Sequence, residues 1–100
     1  MPVTSQLSDD GQQLTISIIG RFDFASHQTF RAAYENKPGG LRYVVDLRGA
    51  SYLDSSALGM LLLLLDHAGG ERSRVRISNC SEDVSKILAI SNFNKLFEIG

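Results

Sequence analysis

The sequence predicts an α/β fold: a mixed sheet of four or five strands with helices packed mainly on one face. Three observations carry that expectation. Short segments with strand periodicity alternate with segments of helical spacing that stop at glycine. The stretch LRYVVDLRGASYL, residues 41–53, holds the densest cluster of β-branched and aromatic side chains. And the run from Tyr43 to Asn79 reads as strand, helix, strand, a crossover unit that should be right-handed and locally parallel.

The elements follow in order. Leu14 to Phe22 alternates Leu14, Ile16 and Ile18 against Thr15 and Ser17, the pattern of a half-buried strand. Gly11 marks a turn before it, so Val3 to Leu7 is expected to pair with it as an antiparallel hairpin. FDFASHQTFRAAYENKPGG reads as a helix with Phe30, Ala33, Tyr34 and Lys37 on one face, stopped by Pro38-Gly39-Gly40. Tyr43, Val44, Val45 and Leu47 are nearly continuous, which predicts a strand buried on both faces. Ala57 to Ala68 is a leucine helix closed by Gly69-Gly70. Arg74 to Cys80 alternates again as a strand. Ser81 is placed to cap a helix with Glu82 and Asp83 in its first turn and Val84, Ile87 and Leu88 on its apolar face. The tail NKLFEIG is expected to add a short edge strand.

Totals narrow the function. One hundred residues suit a single domain spanning 1–100, with 43% hydrophobic and 21% charged residues. A formal net charge of −1, with no run of five or six like charges, argues against nucleic acid or an anionic membrane as a partner. A single cysteine, Cys80, gives no disulfide framework and suits a reducing, cytoplasmic setting. There is no secretory signal pattern at the start, and the longest apolar run is too short for a membrane span. His27, His67 and Cys80 lack metal-ligand spacing, and no cofactor is expected. His27 reads as a surface helix residue, His67 as a residue before a helix end, and Cys80 as a small packer at a strand end.

The chemistry concentrates at SYLDSSALGMLLLLLDHAGG, residues 51–70. Asp54-Ser55-Ser56 sits where a buried strand gives way to a helix, so Asp54 or Ser55 can simply cap the first turn. A Ser-His-Asp hydrolase would need glycines flanking the serine, and LDSSALG lacks them. Anion binding at the helix start is opposed by the Asp54 carboxylate. A third reading is a phosphoryl group on Ser55 or Ser56, which would alter the surface without unfolding the domain. Along the helix, Leu58, Leu61, Leu62 and Leu65 are expected to meet the sheet, leaving Gly59, Met60, Leu63 and His67 opposite. Either Met60 and Leu64 pack on neighbouring helices, or this side is an exposed apolar patch running from Ser55 along Gly59, Met60 and Leu63.

The segments GRFDFASHQTFR (Gly20 to Arg31), VVDLRGASYLDSSALGMLLLL (Val44 to Leu64) and ILAISNFNKLFEI (Ile87 to Ile99) together resemble the STAS domain family, sulphate transporter and anti-sigma factor antagonist. The middle segment, with D-S-S-x-L-G after the strand, is the specific one. Within the family the chain is similar to stand-alone bacterial anti-sigma factor antagonists, which have no catalytic activity. The resemblance implies that Ser55 is phosphorylated by an anti-sigma factor that is also a serine protein kinase, with Ser56 the second choice. The unphosphorylated form would hold that kinase and free a sigma factor for transcription. A metal-dependent serine phosphatase, or one coupled to a response regulator, would restore binding. The resemblance also implies that Asp23 lies near Ser55 and forms the partner surface with Asp54. The alternative is a ligand-sensing or scaffold module for a nucleotide or another signalling protein such as a diguanylate cyclase. Ala57 stands where many relatives have glycine.

Overall fold

A computed structural model of the chain describes residues 3–70 and 75–100. β1 (Val3–Leu7) and β2 (Gln13–Phe22) form an antiparallel hairpin, and β3 (Arg42–Leu53), β4 (Val75–Ser78) and β5 (Glu98–Ile99) follow in parallel, in the order β1-β2-β3-β4-β5. Helices α1 (His27–Tyr34), α2 (Ser55–Ala68) and α3 (Glu82–Ile90) make the three crossovers. Each new parallel strand lies beside its predecessor, so crossovers of one hand deliver all three helices to one face of the sheet. The mixed sheet with helices on one face is the predicted fold.

Burial follows that layering. Leu14, Ile16 and Ile18 of β2, Tyr43, Val45 and Leu47 of β3, and Val75 and Ile77 of β4 point under the helices. They meet Phe30 and Tyr34 of α1, Leu61 and Leu64 of α2, and Val84 and Leu88 of α3 in one core. The opposite face carries Thr15, Ser17, Val44, Asp46, Arg76 and Ser78, and no described helix covers it. β3 is therefore buried on one face only, against the two-sided burial expected of it: Val44 and Asp46 are half-buried, and the apolar density of YVVDL comes from a core row interleaved with one valine.

Local signals explain most boundaries. Ser81 caps α3 through its hydroxyl, which accepts the Val84 N–H at 3.2 Å, as its position predicts. Gly69 takes the C-cap of α2 with φ 125°, a conformation closed to most residues. α1 is shorter than expected: a 3-10 turn over Phe24–Ser26 precedes it, and the helix stops at Tyr34, so Lys37 lies beyond its end. β4 is likewise shorter, with Cys80 half-buried past its end; Arg74, the expected first residue, lies outside the described residues. β5 pairs Glu98 and Ile99 with Arg76 and Ile77, the edge strand that the tail predicts.

Candidate functional site

β2 and β3 end side by side, and the site grows from how they end. Phe22 and Leu53 are register partners and both are buried. Asp23 and Asp54 follow them directly, each as the N-cap of what comes next. The Asp23 carboxylate accepts the Ala25 N–H at 3.1 Å, and the Asp54 carboxylate accepts the Ala57 N–H at 3.0 Å. The Asp54 N–H itself reaches the Phe22 carbonyl at 3.5 Å, tying the two ends together.

That alignment is the work of β3. Its register against β2 slips once between the Ser17 and Ile19 pairs and again between the Gly20 and Arg21 pairs. Each slip is a bulge in which β3 spends an extra residue. Without them, Ser17 opposite Asp46 would place Asp23 level with Tyr52, and Asp54 would lie two residues, about 6.6 Å, farther along. The bulges also move Ala50 onto the core side beside Leu47 and Leu53, breaking simple alternation. At the first bulge the Asp46 carboxylate accepts the Arg48 N–H and the Asn79 amide, each at 3.0 Å. Burial raises the Asp46 pKa, but those hydrogen bonds and the Arg48 charge outweigh it and hold the carboxyl below its ordinary value. Space is tight at Gly49, where a Cβ would stand 3.0 Å from the Ile19 side chain and 3.3 Å from the Ile18 carbonyl oxygen. A shallow hollow of about 260 Å³ lies beside it, lined by Ser17, Ile18, Ile19, Asp46, Arg48 and Gly49.

Ser55 is the first residue of α2, two residues earlier than the helix start expected from the leucine pattern. It is exposed and Ser56 is half-buried, and neither hydroxyl makes a hydrogen bond among the described residues. The cap on the loop is supplied by Asp54, so the Ser55 hydroxyl is free for other chemistry. His67 donates from Nε2 to the Lys37 carbonyl at 2.7 Å, since a carbonyl oxygen only accepts, and its ring lies against Tyr34 and Tyr43. His27 stacks on Phe24. Neither histidine is hydrogen-bonded to Ser55 among the described residues.

The faces of α2 correct the leucine reading. Ala57, Met60, Leu61, Leu64, Leu65 and Ala68 are buried. Leu61 and Leu65 are inward as expected and Leu58 is half-buried, but Leu62 is 42% exposed and Leu64 takes its place in the core. Met60 is 3% exposed, so its side chain is core and cannot form part of an outer patch. The outward stripe is Ser55, Gly59, Leu62 and Asp66, flanked by Leu63 at 54% exposure. The cause is phase: five consecutive leucines carry no periodicity, and close packing fixes which side faces the sheet.

Sequence reasoning missed Arg21 and Tyr52. They are register partners on the open side of the same strand ends, with the guanidinium 4.4 Å from the Tyr52 ring centre and Arg21 Nε 3.3 Å from Asp23 Oδ2. The signal was present as matched triplets, Arg21-Phe22-Asp23 and Tyr52-Leu53-Asp54, but only the bulges set them level.

Buried anchors, paired aspartate caps and an exposed serine at the head of a leucine helix thus come together on this sheet order. The family model described as "Mlab, STAS domain" matches residues 5–98, and the chain belongs to the STAS family. It is 64% identical over 101 residues to a STAS-domain containing protein of Pseudomonas aeruginosa (strain UCBPP-PA14), covering 100% of both chains. The STAS domain of an anti-sigma factor antagonist from Rhodobacter sphaeroides is 32% identical over 80% of this chain and 90% of that one, with a TM-score of 0.61. The anti-sigma factor antagonist SpoIIAA shares the fold at 17% identity. Its unphosphorylated form has a TM-score of 0.76 over 98% of this chain and 86% of that one. The phosphorylated form, from Bacillus, has 0.74 over 98% and 90%. No described helix is long and apolar enough to cross a membrane.

Proposed function

We propose that the chain is a cytoplasmic anti-sigma factor antagonist, without catalytic activity of its own, whose hold on its partner is switched by phosphorylation of Ser55. The observation that carries this reading is the free hydroxyl of Ser55, exposed at the head of α2 while Asp54 alone caps the turn. Membership of the STAS family and the likeness to the Rhodobacter sphaeroides antagonist support the partner class. SpoIIAA keeps this fold in a phosphorylated form.

The partner is an anti-sigma factor with serine kinase activity that brings a nucleoside triphosphate. Ser55 Oγ attacks the γ-phosphorus, the bond to the departing nucleoside diphosphate breaks, and the hydroxyl proton leaves to a base or solvent. The phosphoryl group adds about −1.5 to −2 charges beside Asp23 and Asp54, at the edge of the contact surface. A partner shaped for a neutral serine then meets bulk and like charge, and the sigma factor is recaptured. A serine phosphatase reverses the step by hydrolysis. Ser56, half-buried one residue on, is the second choice of acceptor.

The contact surface runs from Ser55, with Asp23 and Asp54 behind it, along Gly59, Leu62 and Leu63. Gly59 supports this placement. A Cβ there would meet nothing within 4 Å, so no neighbour among the described residues requires glycine. In a helix interior it costs about 0.5–1 kcal/mol relative to alanine. A partner whose backbone approaches α2 closely at that turn accounts for it.

The test is affinity capture from native lysate with Ser55→Ala and Ser55→Asp, with phosphosite mapping of the wild type. Ser55→Ala should retain an anti-sigma factor identified by mass spectrometry, Ser55→Asp should lose it, and phosphate should map to Ser55. Equal recovery by both variants would sink the proposal.

A further inference from the structure

The surroundings of Ser55 hold two carboxylates, and among the described residues one cation is paired with them. Asp23 divides its carboxylate: Oδ1 accepts the Ala25 N–H, and Oδ2 faces Arg21 Nε at 3.3 Å. Asp54 has no ion-pair partner among the described residues. The Arg21 side chain is 68% exposed, and Nε is its only hydrogen-bonding nitrogen among the described residues. Its other two nitrogens have no partner among the described residues. The guanidinium is still not loose, because it lies 4.4 Å from the centre of the Tyr52 ring, and β2–β3 pairing fixes Tyr52 two residues before Asp54. A guanidinium with an unused fork of donors, held where the ends of β2 and β3 meet, has the geometry and charge that phosphate oxygens favour.

We propose that Arg21 is the counter-charge of the switch: in the unmodified protein it offsets Asp23, and after modification it stabilises the dianionic phosphoryl group on Ser55. This rests on Ser55 as the acceptor. It explains how a phosphoryl group is tolerated next to Asp23 and Asp54, where like charges alone would oppose it. It also gives the two strand ends separate duties, with Asp54 shaping the loop and Arg21 setting its electrostatics.

The experiment installs phosphoserine at position 55 during synthesis, so it needs no kinase, and follows its second ionisation by ³¹P NMR at low ionic strength. All samples carry His27→Gln, which removes the imidazole at the start of α1. A nearby cation favours the dianion, so the midpoint should rise by roughly half a pH unit in Arg21→Gln. Arg21→Lys should bring it back most of the way, and raising salt to about 1 M should shrink the difference, since the Debye length falls to about 3 Å. A midpoint unmoved by Arg21→Gln, or moved and not restored by Arg21→Lys, overturns the inference. Failure of the Ser55 reading shows separately, as phosphate mapped elsewhere in the cellular protein, and leaves this titration interpretable.

Discussion

Phe22-Asp23 at the end of β2 and Leu53-Asp54 at the end of β3 use the same device, a buried anchor followed by a capping carboxylate, and build different things with it. After Asp23 comes a three-residue 3-10 turn that leaves Phe24 74% exposed before α1 begins. After Asp54 the fourteen-residue α2 begins at once, with Ser55 as its first residue. Asp23 is shared between a cap and Arg21, whereas Asp54 is committed to its cap. The difference teaches that the same device can serve two ends: the head of a fourteen-residue helix carries the serine, while its neighbour carries a carboxylate shared with Arg21.

The largest way to break the second junction is to remove what seats its helix. Leu64 is fully buried and Leu63 beside it is 54% exposed. Leu64→Ala should cost about 2–5 kcal/mol and Leu63→Ala within about 0.5 in urea denaturation, while only the latter should weaken partner capture while the protein stays folded. Similar costs for both would refute the assigned phase of α2. Next in size, Asp54→Ala should destabilise by about 1 kcal/mol and Asp23→Ala by about half that, because the first caps a long helix and the second a single turn. The reverse order would erase the distinction between the junctions.

How much of this was legible in the sequence depends on whether local chemistry or tertiary register decided the outcome. Helix-terminus chemistry narrowed the cap to Asp54 or Ser55, and the structure gives it to Asp54 with Ser55 as the first helical residue. The phase of α2 could not be read from leucines, which occur on every side between Leu61 and Leu65. The polar residues held the better clue: Ser55, Gly59 and Asp66 fall on one stripe at helical spacing, opposite the small residues Ala57 and Ala68 that approach the sheet. Arg21 and Tyr52 were hidden for another reason. Their pairing exists only after two bulges shift β3, and nothing in LRGASYL announces two extra residues rather than none. His67 was hidden too, since its carbonyl partner at Lys37 lies 30 residues away.

Smaller changes sharpen the comparison without breaking the fold. Gly59→Ala should raise stability by about 0.5–1 kcal/mol, the helix-propensity gain at a site with open space for a Cβ, and should lower partner capture. A stabilised variant that binds as well as wild type would move the contact surface off that turn.

The smallest expected effect tests the bulge that levels the two junctions. The Asp46 carboxyl lies below its ordinary value because hydrogen bonds from Arg48 and Asn79, with the Arg48 charge, outweigh its partial burial. A carboxyl depressed in the folded state adds stability that is present above the unfolded aspartate pKa and lost as pH falls through the folded one. The window is therefore acidic, beginning near the ordinary aspartate range of about 4 and extending below it. Asp46→Asn keeps an acceptor oxygen and removes the charge, so its urea midpoint should decline less than that of wild type between about pH 5 and pH 3. Asp10 is the matched control. Its carboxyl is also lowered, by Ser8 and the Gln12 N–H, but at the β1–β2 turn, away from the site. If the amide signals of Ser55 and Asp23 shift on acidification in wild type and Asp10→Asn but not in Asp46→Asn, the bulge is what holds the two junctions level. If Asp10→Asn alone removes the shift, the alignment is set at the far end of the strands instead.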